Sequence, residues 1–455
     1  MKKFFLPLLF LFLIPFVAPA EQAPSTTFLI YMCGTDLEEN NSFASLDLQE
    51  MLRANLPKNG PVTVLVETGG VKEWHTRAIA SGRNQRFQVV GQELVLRDDS
   101  LGKRNMGKPE TLISFLEWGL SYAPADRVIL VLWSHGGGPM EGVCPDPLFS
   151  DDSLTLLELN RALKTGLKGK KLDAVMMDAC LMASSEVAAV LSPYARYMAA
   201  SQEMMPGIGL PYAQLFTVLL HDPALDIQSF LQLAADALIT QAQEQHFSYS
   251  TFSIVDLEKA EKITVALNAL GEGMTALMEK GESGALKKAR AQLTSFGSFD
   301  PADQENTDLI DIRNLCDALE KLLPDETRAL KAAVTESVVY RRSTGDIDPH
   351  AKGLSIFFPL NTVHEYPDYL TQYAHLSGGG AYADFVYRFG SQVNDLEAEE
   401  ERSGVLDSVA SFFAGLFASP TQAPPEKTYP GLWGDLDQLT QVIVDPYPGL
   451  WLDLN

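Results

Sequence analysis

Two short stretches of this chain join reactive side chains to the backbone freedom that chemistry needs. The first is His135-Gly136-Gly137-Gly138, which follows the apolar run 128–134 (VILVLWS). The second is Asp178-Ala179-Cys180, which closes the run 172–178 (LDAVMMD) and leads into the helical pattern LMASSEVAAVL. Both runs read as short buried strands, and in open α/β sheets reactive groups gather outside the carboxyl ends of strands. A cysteine at such a junction stands at a helix N-terminus, where free N–H groups and the helix dipole favour the thiolate. That is a nucleophile's position. His135, on a neighbouring strand end, would protonate a leaving amine as general acid. The N–H groups of Gly136 and Cys180 could hold an oxyanion, and the glycines would let a substrate carbonyl approach the backbone. A lone cysteine behind an apolar strand is also common packing material, so its weight comes from the His-Gly-Gly-Gly segment.

Other chemistries lack their parts. His-Gly-Gly-Gly also occurs as the oxyanion segment of lipases and esterases, but that reading needs a G-x-S-x-G nucleophile elbow and the sequence has none. The seven histidines (75, 135, 221, 246, 350, 364, 375) include no H-x-x-x-H pair, so no zincin-like metal site is expected. Four cysteines, at 33, 144, 180 and 316, form no C-x-x-C pair and are too sparse for a disulfide framework. The state of Cys33, Cys144 and Cys316 stays open at this level.

The elements that must position these residues follow a repeating order. Runs 27–33, 62–67, 128–134 and 172–178 are short, apolar and β-rich; amphipathic segments at 43–54, 108–122 and 156–166 lie between them, with Pro109 placed as a first-turn residue. Such alternation predicts an α/β fold, a mainly parallel sheet flanked by helices on both faces. Residues 85–96 read as a hairpin around Gly91-Gln92. Helical stretches at 226–245 and 256–280 flank a further strand, 250–255, and a late strand pair, 338–342 and 353–358, is expected to close the body.

Composition bounds the rest. The 455 residues carry a net charge of −24 with 46% hydrophobic residues, which fits a globular protein with a real core and argues against a nucleic-acid partner. Lys2 and Lys3, the apolar run 4–17 and Ala18-Pro19-Ala20 form a secretory signal pattern over residues 1–20, so a secreted or periplasmic protein, free of the membrane after signal removal, is expected. The main body spans 21–395. An acidic, Pro-rich linker with one short helix covers 396–428, and the tail 429–455 repeats Tyr-Pro-Gly-Leu-Trp at 429–433 and 447–451. This appendage reads as packing for two Trp, or as a partner-binding or detachable lid with Lys427 ahead of it.

At the level of whole blocks, FLIYMCGTDLEEN (28–40), VILVLWSHGGG (128–138), DDSLTLLEL (151–159), LDAVMMDACLMASSEVA (172–188), ASQEMMPGIGLPY (200–212) and GLSIFFPL (353–360) resemble the clostripain family of cysteine peptidases, which has a caspase-like fold. The resemblance covers about residues 26–390. It implies the catalytic pair His135 and Cys180, and peptide or protein substrates cut after Arg or Lys. An acidic residue two positions before the nucleophile helps hold the basic side chain in that family, and Asp178 stands there. If the strand continued to Cys180, the two would share a face about 6.6 Å apart; capping of the following helix is the other role open to Asp178. Glu203 is a second candidate for an acidic pocket wall. The resemblance also raises calcium as a cofactor without assigning ligands; Asp146, Asp151 and Asp152 read as a solvated acidic loop. Family members that cut themselves between the His and Cys blocks need a basic residue there, and the segment 136–160 has none. A catalytically silent relative that binds through its tail is the alternative function.

Overall fold

The computed structural model describes residues 23–297, 307–360 and 380–392. The signal segment 1–20, the linker 396–428 and the tail 429–455 lie outside the described residues. Within them, no helix is long and apolar enough to cross a membrane.

One sheet organises the molecule. Its strands are β1 (Thr26–Cys33), β2 (Val62–Gly69), β3 (Gln85–Val90), β4 (Glu93–Asp98), β5 (Arg127–Trp133), β6 (Leu172–Asp178), β7 (Ala195–Ala200), β8 (Thr251–Asp256) and β9 (Val338–Ser343), in the order β9-β8-β7-β6-β5-β1-β2-β3-β4. The five central strands, β2-β1-β5-β6-β7, are parallel, and antiparallel strands finish both edges. Alternate residues of each central strand enter different cores. Leu29, Tyr31 and Cys33 pack on the face covered by helices Pro109–Tyr122, Leu156–Gly166 and Ala260–Glu279; Phe28, Ile30 and Met32 pack under Phe43–Arg53, Tyr212–His221 and Ile227–Glu244. Burial on both faces is why these strands read as unbroken apolar runs.

Local signals place several elements as expected. Pro109 opens its helix, Thr155 and Glu158 form a reciprocal capping box on the next, and Gly91 turns the β3–β4 hairpin at φ +60°. Three expectations fail. β7 was not anticipated, because ARYMAA is alanine-rich and carries few β-branched residues. Residues 338–343 and 355–357 do not pair with each other: β9 joins the sheet edge beside β8, while Ser355–Phe357 pairs with Leu309–Asp311 in a separate two-stranded sheet. The helix after Cys180 begins only at Ser185.

The connectivity also fixes where a site can form. The chain runs from β1 outward to β2, then returns to lay β5 on the other side of β1. Strand order therefore reverses between β1 and β5, and in open α/β sheets the connections diverge at such a point to open a crevice outside the carboxyl ends.

Candidate active site

β1, β5 and β6 end at one level, with Met32 opposite Trp133 and Trp133 opposite Asp178. Ser134 ties the three ends together: its hydroxyl donates to the Cys33 carbonyl at 2.9 Å and its N–H donates to the Asp178 carbonyl at 3.2 Å. The residues that follow, His135 and Cys180, emerge side by side.

His135 is buried, and its Nε2 lies 2.6 Å from Oδ1 of Asp36, on the one-turn helix Thr35–Glu39 that follows β1. Burial alone would raise the Asp36 carboxyl, but the hydrogen bond and charge of His135 win and hold it below its ordinary value. Beyond His135 the backbone doubles back, with the Cys144 N–H donating to the His135 carbonyl at 3.2 Å and the Gly137 N–H to the Gly142 carbonyl at 2.9 Å. These bonds flank the Gly136–Val143 bridge, so the N–H of Gly136 points away from that pairing. A Cβ on Gly136 would lie 2.4 Å from the Cys180 carbonyl oxygen and 3.1 Å from the Ala179 Cβ. The first glycine thus lets two stretches of the protein's own backbone touch, a role the sequence reading had given to the substrate.

Cys180 is half-buried at the junction of both cores, and its sulfur accepts the Met205 N–H at 3.2 Å. Burial pushes the thiol up to about 11; the Met205 amide opposes this, and the carboxylates of Glu203 and Asp178 reinforce it. Cys180 does not stand at the expected helix N-terminus. Leu181 turns the chain at φ +64°, and the helix starts at Ser185 with Ser184 as its cap, accepting the Val187 N–H at 3.2 Å.

Asp178 caps no helix. It is the last residue of β6, buried on the face shared with helices Phe43–Arg53 and Tyr212–His221, where its Oδ2 accepts the Tyr212 hydroxyl at 2.7 Å and the Leu210 N–H at 3.2 Å. Because the strand stops there, no strand repeat relates it to Cys180. Burial raises its carboxyl to about 6 against the pull of these two donors, and the charge of Glu50 adds to the rise. Asp47 stands beside it, accepting the Trp133 indole N–H at 2.6 Å, and burial together with Asp178 and Glu50 pushes it well above the usual range. A Cβ on Gly209 would sit 2.8 Å and 3.0 Å from the two Asp178 oxygens and 3.0 Å from Oδ2 of Asp47, so both acids converge on this glycine.

Glu203 is buried. Its Oε1 accepts the N–H groups of Met204 and Gly297, both at 2.8 Å, and burial lifts its carboxyl to about 8. The backbone around it lines the turn that follows Cys180, since the Leu181 N–H donates to the Glu203 carbonyl at 3.3 Å. The acidic loop departs from expectation in part: Asp151 is exposed, but Asp146 is fully buried and accepts the Met106 and Leu148 amides at 2.8 Å and 2.9 Å, while Asp152 takes Asn105 and Lys108. Among the described residues, no group of three or more His, Cys, Asp or Glu is arranged to hold a metal ion. Cys33, Cys144 and Cys316 are buried free thiols.

Sequence reasoning missed Asp36, Asp47, Tyr212 and Met205. Asp36 had a usable signal, a carboxylate three residues past the end of a buried strand, at the same sheet edge as the other two blocks. The rest reach the site only through tertiary packing.

The model of the clostripain family matches residues 30–389. Clostripain from Hathewaya histolytica is 26% identical over 323 residues, which cover 59% of this chain and 59% of that protein. The chain thus spans well under two thirds of the length of that curated relative. Among solved structures, an inactive zymogen C11 protease from Parabacteroides distasonis is 18% identical and superposes with a TM-score of 0.58, covering 81% of this chain and 100% of that one. A secreted C11 cysteine protease from Bacteroides thetaiotaomicron, solved with an irreversible peptide inhibitor, is 18% identical with a TM-score of 0.56, over 78% and 99% of the two chains. These structures share the caspase-like α/β architecture. With its paired strand-His-Gly and strand-Asp-Ala-Cys blocks meeting at the sheet's carboxyl edge, and with most of its length under one family model, the chain belongs to the clostripain family of cysteine peptidases.

Proposed function

We propose that this protein is a secreted cysteine endopeptidase that hydrolyses peptide bonds after Arg or Lys, with Cys180 as nucleophile and His135 as its proton partner. The observation that carries the reading is the close approach of Gly136, the residue after His135, to Ala179 and the Cys180 carbonyl at the carboxyl ends of neighbouring parallel strands.

The thiol of Cys180 gives its proton to His135 as its sulfur attacks the scissile carbonyl, and the N–H groups of Gly136 and Cys180 receive the developing oxyanion. His135 then passes that proton to the leaving amine, which departs to leave a thioester. A water molecule attacks the thioester, its proton goes to His135, and collapse releases the acid and restores the thiol. Asp178, buried beneath the nucleophile, would accept the guanidinium or ammonium of the residue before the scissile bond. This ion pair does two things. It selects a cationic side chain, and it cancels one of the charges that push the Cys180 thiol up to about 11. A basic substrate therefore eases the deprotonation of the group that attacks it. The signal pattern of residues 1–20 supports export.

A fluorogenic peptide ending in Arg or Lys before the reporter tests the proposal. Turnover that stops on thiol alkylation and in Cys180→Ala is expected. Turnover that survives both would overturn it.

A further inference from the structure

The Asp36–His135 contact stands apart from the residues that the sequence placed in the site. β1 ends at Cys33, and the chain enters the short helix through Thr35 at φ +52°, held there by the Gly34 N–H on the Gly69 carbonyl at 3.0 Å and the Thr35 N–H on the Gly70 carbonyl at 3.1 Å. A left-handed threonine is costly, so this entry is fixed by its surroundings. The helix carries three acids. Glu38 is buried and receives the Ser45 N–H at 2.8 Å, the Ser45 hydroxyl at 2.5 Å and the His75 N–H at 2.8 Å. Glu39 receives the Lys72 N–H at 2.5 Å, and its carbonyl meets the His75 ring. Two of the three thus clamp the helix to its neighbours, and the third reaches His135.

The contact fixes a proton. An ionised carboxylate only accepts, so at 2.6 Å the histidine nitrogen facing it must be the donor. Nε2 then carries the proton in the neutral ring, and the basic lone pair of that ring lies on Nδ1. The His135 side chain is 8% exposed and that of Asp36 40%, so the hydrogen bond has one end in the protein and one on the rim of the crevice.

We propose that Asp36 is the positioning residue of His135, holding the ring in its Nε2–H tautomer and orientation so that proton transfer runs through Nδ1. The inference rests on the Cys180–His135 reading above. It predicts that a change at Asp36 acts on turnover and on the ring, and not on substrate binding.

The test uses the full chain with an Arg peptide and nitrogen-15 spectra of the histidine rings, the His135 signals assigned by their loss in His135→Ala. In the wild type the neutral ring should be protonated at Nε2. Asp36→Asn should lower kcat by roughly 10²-fold with KM nearly unchanged, and should scramble the tautomer. Asp36→Glu, which keeps an acceptor carboxylate, should recover most of the turnover. A wild-type ring protonated at Nδ1, an Asn variant that keeps wild-type kcat, or a Glu variant as impaired as the Asn variant would each overturn the inference. If Asp36→Asn fails to fold, the wild-type tautomer and the Glu variant still decide it. The spectra need no turnover, so activity that survives in Cys180→Ala would condemn the peptidase reading separately.

Discussion

The two sides of the crevice treat the same chemical group in opposite ways. On the histidine side, Asp36 sits partly in solvent and His135 holds its carboxyl low. On the cysteine side, burial lifts Asp178 to about 6 and Glu203 to about 8, and drives Asp47 well above the usual range. The difference lies in solvent and in partners. Asp36 faces a ring that can bear positive charge, whereas each acid near Cys180 faces neutral amides, a phenol or an indole, and its neighbours among the acids. A fixed anion suits the side where a proton must be steered. On the proposed reading, acids raised by burial suit the side that receives a substrate cation.

The largest effects should come from removing either side's reacting atom. Cys180→Ala is expected to cut kcat by at least about 10³-fold while the fold survives, because a small side chain is lost from a half-buried position. His135→Ala should cost at least about 10²-fold in kcat. A Cys180→Ala enzyme within tenfold of wild type, or a His135→Ala enzyme changed only in KM, would erase the division between nucleophile and proton partner.

Next in size is the charge that the proposed function gives to Asp178. Asp178→Asn should lower kcat/KM for Arg substrates by about 10- to 100-fold more than for substrates with an uncharged side chain at that position, since a buried charge-assisted hydrogen bond is worth about 1.5 to 3 kcal/mol. The pH profile carries the same signature. Protonation of Asp178 removes the attraction, so kcat/KM for Arg substrates should fall as pH drops through about 6, a limb absent for uncharged substrates and in the Asn variant. Equal losses for both substrate types would reduce Asp178 to a structural anchor for Tyr212 and Leu210.

Much of this was legible in the sequence, and the reasons for the failures are physical. The central strands announced themselves because double-sided burial makes their residues mostly apolar, and the His and Cys blocks were found because they stand at strand ends. The sequence showed LMASSEVAAVL as helical from its first residue, but the turn at Leu181 and the cap at Ser184 take up the start of that pattern. That error credited the thiol with a helix dipole it does not have. Asp47 sits in the amphipathic helix Phe43–Arg53 like any surface acid, and only its packing against Trp133 and Asp178 reveals it as buried. The Asp36–His135 contact joins residues 99 apart; the position of Asp36 just past a buried strand was visible, but its partner was not.

A smaller effect concerns the thiol itself. With Cys180 lifted to about 11, alkylation by iodoacetamide should be slow at pH 7 and climb about tenfold per pH unit toward pH 10. Asp178→Asn removes one of the charges that oppose the thiolate and should speed alkylation severalfold at pH 7. A reaction already at its plateau at pH 7 would mean that Cys180 rests as a thiolate, and the contrast between the two sides would lose its cysteine half.

The smallest effect falls on Glu203, where the two roles open to it give opposite signs. At about 8, its carboxyl keeps its proton at neutral pH in the folded chain, while an unfolded glutamate has lost it well below that. A folded value above the unfolded one means that the stability tied to this proton is whole in acid and is lost as pH climbs from the ordinary glutamate range through about 8. Glu203→Gln keeps an oxygen for the Met204 and Gly297 amides and has no charge to acquire. The variant should therefore match wild type near pH 5 and exceed its Tm by at least about 2 °C at pH 9, with kcat/KM for Arg substrates within a few-fold at pH 7. A wall that binds the substrate cation behaves otherwise: the variant would lose Arg substrates selectively at pH 7 and gain no stability in base. Thermal melts at the two pH values, beside one assay at pH 7, separate a buried tie from a second anion in the pocket.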